Sequence, residues 1–116
     1  FYWNLHQTHH GKKNSHLLAY TKNNRKVLLE AADMALSFDF NDVEEMLLNG
    51  TIPVSSPRHE IQDYNPNKEL GNSFIYTANN QWCIFAALVR ALETFKFPYD
   101  WKNIVRQGVE TVLVEA

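Results

Sequence analysis

Asn79-Asn80-Gln81-Trp82-Cys83-Ile84-Phe85-Ala86-Ala87-Leu88-Val89-Arg90-Ala91-Leu92-Glu93-Thr94-Phe95-Lys96-Phe97-Pro98 is the stretch on which the fold of this chain turns. Asn79 or Asn80 offers a side-chain acceptor to the unpaired N–H groups of a first helical turn, and Pro98 cannot continue a helix. The residues between them therefore predict a helix from about 80 to 95. Trp82, Ile84, Phe85, Ala87, Leu88, Val89, Ala91, Leu92 and Phe95 leave only Arg90, Glu93 and Lys96 for a narrow polar face. A helix apolar nearly all round is expected at the buried centre of a fold.

On the C-terminal side, Asp100 caps a last helix, with Tyr99 and Ile104 at the spacing of a hydrophobic staple. Gly108 reads as the stop of that helix, and Val109 to Val114 as a terminal strand. On the other side, Ser73 to Thr77 reads as a short strand. Residues 51–71, with Pro53, Pro57 and Pro66, read as a long loop carrying a short strand at Thr51 to Val54. Loops of that length in a compact domain are uncommon and often functional. Asn41, Glu44 and Gly50 bracket a short helix, and Leu28, Ala31, Ala32, Ala35 and Leu36 predict another from about 24 to 37, capped by Asn23 or Asn24. Phe1 to Gln7 and Ser15 to Thr21, separated by the turn around Gly11, read as an opening β-hairpin. The expectation is an α+β fold: a small mixed or antiparallel sheet, made of the N-terminal hairpin and a C-terminal strand, packed against about four helices as one domain over residues 1–116.

The chain has 116 residues, 45% of them hydrophobic, which suits one core that needs no disulfide or metal. Cys83 is the only cysteine, so a disulfide scaffold is excluded and a reducing, cytoplasmic setting is expected. No apolar run approaches the roughly 18 residues of a membrane span. Phe1-Tyr2-Trp3 has neither the basic flank nor the cleavage site of a signal peptide. The net charge of −2 divides unevenly: residues 1–29 carry five basic and no acidic side chains, and the rest carry six basic and thirteen acidic ones. The acidic body suits a protein partner, as in small inhibitors and immunity proteins, and a homo-oligomer is allowed.

Four groupings of residues could carry chemistry. His6, His9, His10 and His16 cluster around the opening hairpin, but their spacing matches no metal signature, so no metal and no cofactor are assigned. Arg58, His59, Glu60, Asp63 and Tyr64 gather an acid, a base and a cation in the long loop, a grouping better suited to recognising a protein partner than to catalysis. Lys12, Lys13, Lys22, Arg25 and Lys26 beside Trp3 and Tyr20 offer cations for phosphates and rings for bases, the elements of RNA or single-stranded DNA binding. The last is Cys83 at the head of the apolar helix, where free N–H groups can activate a thiol.

Trp82-Cys83-Ile84-Phe85-Ala86-Ala87 is loosely similar to cysteine hydrolases and transglutaminase-like enzymes, which place their nucleophile in such a position. That resemblance implies a His and an Asp downstream. No His follows Cys83, so a base would have to come from His59 or His16, and an inert core thiol is the plainer reading. With no catalytic constellation standing out, the sequence favours a non-enzymatic binding module acting through protein–protein recognition. Polyanion binding and a thiol-dependent hydrolase are the alternatives.

Overall fold

Met34-Ala35-Leu36, Ile52-Pro53-Val54-Ser55 and Phe74-Ile75 form strands for a shared reason: nearly every side chain in them is buried, so both faces of the sheet are covered. Runs without polar alternation suit central strands of a parallel sheet, whose two faces both carry helices. The computed structural model describes residues 2–3, 22–36 and 43–115. Its elements are β1 (Tyr2–Trp3), α1 (Lys22–Ala31), β2 (Met34–Leu36), α2 (Val43–Leu48), β3 (Ile52–Ser55), β4 (Phe74–Ile75), α3 (Gln81–Phe95) and α4 (Pro98–Glu115).

The strands lie in the order β1-β2-β3-β4. β2, β3 and β4 run parallel, with Met34 level with Ile52 and Val54 level with Phe74, while β1 pairs antiparallel with β2 through Tyr2–Ala35 and Trp3–Met34. Pro53 sits in a central strand without breaking it. The Ile52 N–H donates to Asp33 O on the β2 side, so the position where Pro53 lacks a donor faces the β4 side, ahead of the first pair there, Val54–Phe74.

Alternation along the strands divides the core. Met34, Leu36, Ile52, Val54 and Phe74 pack with Ala87 and Ala91 of α3 and with Trp101 and Ile104 of α4. Ala35 packs instead with Leu29 of α1 and Met46 of α2, and Ile75 with Val43, Leu47, Ile61 and Val112. Within the first cluster the Phe74 and Trp101 rings stack at 6.2 Å, and Phe95 meets Trp101 edge-on at 5.0 Å.

Several expectations are corrected. The strands that build the sheet are parallel, so the antiparallel alternative does not hold for them. The helix expected to reach residue 37 ends at Ala31, because Met34 to Leu36 enter the sheet. The C-terminal strand does not exist: α4 runs through Gly108 to Glu115. Gly108 is not a stop but a close approach, since a Cβ there would lie 2.9 Å from Leu47 Cδ2 of α2. Packing of Val112 on Val43 and Leu47 outweighs the strand preference of the valine-rich tail. Tyr99 is exposed while Ile104 is fully buried, so the two form no staple, and Pro98 instead opens α4 at its first position. The opening hairpin lies outside the described residues apart from Tyr2 and Trp3, whose partner is β2.

The long loop is ordered and returns along the outer edge of β4. Tyr64 N donates to Ser73 O and Asn72 N to Gln62 O, so Gln62 to Tyr64 lie parallel to Asn72 and Ser73. The polar ridge of α4, recurring every four residues, fastens this excursion: Asn103 Nδ2 and Gln107 Nε2 both donate to Glu69 O, Gln107 Oε1 accepts from Gly71 N, and Asn72 Nδ2 donates to Thr111 Oγ1. Gly71 is required here, with φ at +129° and a Cβ direction that runs into the backbone of Asp63 and Tyr64. Gly71→Ala is expected to lower stability by about 3 kcal/mol, read as a fall in urea midpoint at unchanged slope.

Candidate functional site

α3 is positioned by its start and by one side chain at its middle. Asn80 stands in extended conformation as the N-cap, and its Oδ1 accepts from Cys83 N at 3.0 Å. Ten residues on, Arg90 Nη2 reaches both carboxylate oxygens of Asp63 at 3.1 Å and Tyr64 O at 3.0 Å, with its guanidinium 5.5 Å from the centre of the Phe74 ring. Asp63 Oδ1 also accepts from Ile75 N at 2.9 Å. One carboxylate thus receives the outward N–H of β4 and the cation of α3.

The buried side of α3 is formed by Ala87 and Ala91, whose small size lets the helix approach the sheet closely, with Ile84, Leu88 and Phe95 packed around them. The opposite side is apolar as well and lies bare: Trp82 is 74% exposed, Phe85 62%, Val89 38% and Leu92 42%. At 100° per residue these four fall within an arc of about 80°. The expectation that α3 is the buried centre is therefore corrected. It is apolar all round because it has two apolar faces, of which one meets the sheet and the other meets solvent. Phe97 and Tyr99, in the turn to α4 and at its start, are also exposed.

The residues singled out in the long loop separate. Asp63 is taken up by Arg90 and β4, and Tyr64 is buried against Phe74 at 6.1 Å. His59 is exposed with Nδ1 2.6 Å from Glu60 Oε1, and Arg58 lies near enough to Tyr76 for its charge to act on that phenol. No joint acid–base arrangement of these five is formed. Among the basic residues, Lys26 is exposed and 3.9 Å from Glu30 on α1, the same helix that carries Lys22 and Arg25, and Trp3 lies in β1. Lys12, Lys13, Tyr20 and the histidines at 6, 9, 10 and 16 lie outside the described residues. Cys83 is half-buried against the main core cluster, and no group of three or more His, Cys, Asp or Glu able to hold a metal occurs among the described residues.

Sequence reasoning missed the bare stripe of α3. Ala87 and Ala91 share the side that approaches the sheet, but Ile84, Leu88 and Phe95 on that side are as bulky as the exposed Trp82, Phe85, Val89 and Leu92, so side-chain size alone does not separate the two faces. No protein-family model, no curated protein and no solved structure matches this chain.

Two tyrosines supply the titration behaviour of the core. Burial, then the Asp100 and Glu69 carboxylates, push Tyr64 above its ordinary value; Asp100 lies close enough to its buried hydroxyl to act on it, but no hydrogen bond of full geometry forms there. Burial also raises Tyr76, against the opposing charge of Arg58. A raised phenol favours the fold fully below the unfolded pKa of about 10, and that contribution is lost as pH rises through the folded value. Tyr64→Phe is expected to leave stability at pH 7 unchanged or up to about 1 kcal/mol higher. The variant is also expected to flatten the alkaline loss of stability above about pH 10, measured by urea unfolding across that range.

Proposed function

We propose that this chain is a protein-recognition module whose recognition surface is the stripe Trp82, Phe85, Val89 and Leu92 on α3. The observation that carries this reading is the exposure of two large rings, at 74% and 62%, on a capped helix that is otherwise tied firmly to the fold. The stripe amounts to roughly 400 Å² of apolar surface, within the range of the largest patches of folded monomers, which are often functional. Tryptophan leads the residues that dominate binding energy at interfaces, because it offers wide contact and few rotatable bonds.

The charged side chains add support. Asp63, Glu93 and Glu110 are each paired with a cation of the same chain, Arg90, Lys96 and Arg106. These three acids are less open to an outside cation than the composition suggests, and the apolar stripe presents the larger unsatisfied surface. The partner implied is a protein offering an uncharged, apolar ridge or groove about one helix wide.

A photo-crosslinking amino acid at position 85, with one at the exposed Lys102 as control, tests this in the cells that make the chain. A discrete protein adduct at 85, absent at 102 and abolished by Trp82→Glu, is the expected result. Trp82→Glu itself is expected to change folding stability by less than about 0.5 kcal/mol, because position 82 is exposed. Absence of an adduct at 85, or the same adducts from both positions, would overturn the proposal.

A further inference from the structure

The stripe steps by three, four and three residues, a spacing that reads the same from either end and is symmetric about the level of residue 87. From this we infer that the occupant of the stripe is a second copy of this chain, its α3 lying antiparallel across a two-fold axis. The inference rests on the stripe being a recognition surface, and it names the partner.

Three observations support it. The first is volume: a two-fold axis at that level sets Trp82 against the second copy's Leu92 and Phe85 against its Val89, so each ring meets a smaller aliphatic side chain. Alternating steps of three and four are also the seam of two helices packed at a shallow angle.

The second is charge. The charged groups of α3 and its cap are already satisfied within one copy, Glu93 by Lys96 at 3.1 Å and Arg90 by Asp63, so apposing two stripes strands no lone charge. The antiparallel arrangement also brings Glu93 level with the second copy's Gln81, in the first turn of its helix, where the helix dipole favours an anion.

The third is area. Two stripes of roughly 400 Å², with Ala86 and Phe97 at their margins, approach the lower bound of about 1,200 Å² for a specific interface, the low end at which weak associations lie. The patch therefore fits a weak, concentration-dependent dimer.

Sedimentation of the purified chain from about 1 to 500 μM, a range that brackets weak dimers, is expected to show a monomer–dimer equilibrium. Phe85→Glu is expected to weaken it roughly 30-fold or more, and Leu113→Glu, at an exposed apolar position on α4, to leave it unchanged. In a Cys83→Ser background, Phe85→Cys mixed with Val89→Cys is expected to form the mixed disulfide faster than either variant pairs with itself. A wild-type chain that stays monomeric, or a dimer indifferent to Phe85→Glu, would overturn the inference, as would preferred self-pairing of either cysteine variant. Should the chain stay monomeric, an adduct with an unlike protein at position 85 would still uphold the recognition reading, while no adduct would sink that too.

Discussion

The carboxylate of Asp63 sets how α3 is turned about its own axis. It receives the N–H of Ile75 from the sheet and the guanidinium of Arg90 from the helix, so the register of β4 and the rotation of α3 are fixed against one another. With Arg90 held at that point, Ala87 and Ala91 must face the sheet and Trp82, Phe85, Val89 and Leu92 must face away. A half-exposed ion pair by itself contributes little to stability. This one is supplemented by the Tyr64 carbonyl and the Phe74 ring, and its weight lies in orientation more than in energy.

The same junction depends on the excursion of residues 56–73, which has few apolar side chains of its own. Its backbone polar groups are met instead by neighbours in the loop and by the side chains of Asn103 and Gln107, while Thr111, on the same face of α4, accepts from the Asn72 side chain. Glu69 sits in the left-handed region at φ 54°, an unfavourable place for a residue with a side chain, and its carbonyl is the one gripped by both Asn103 and Gln107. Local strain there is offset by two hydrogen bonds from a rigid element.

Much of this architecture was legible locally. The Asn80 cap and the end of α3 at Phe95, the short helix of Val43 to Leu48 and the strand segments around Ile52 and Phe74 all follow from residues close together in the chain. What escaped depends on distant contacts. Met34 to Leu36 is too short to display a period of two, so Ala35 and Leu36 fit the helical spacing that precedes them. Gly108 owes its place to Leu47, some sixty positions earlier, and resembles a helix stop only when read alone. The loop residues Asp63 and Tyr64 look like a recognition cluster by composition, yet one is spent on an internal junction and the other is buried. The two apolar faces of α3 cannot be told from one wide buried face until the sheet beneath it is in place.

Gln62 to Tyr64 lie against the outer side of β4, and Asp63 fills the hydrogen-bonding position of Ile75 that a foreign strand would need. The sheet is thereby sealed on that flank. An open strand edge recruits chains without limit, since each added strand presents a new edge, and fibrous growth follows. A convex helical stripe behaves differently: once it is covered by a partner, no fresh copy of the same surface is created. By closing the β4 edge and leaving α3 bare, the fold offers on this flank a kind of sticky surface that one encounter exhausts, with no strand template for polymerisation along β4.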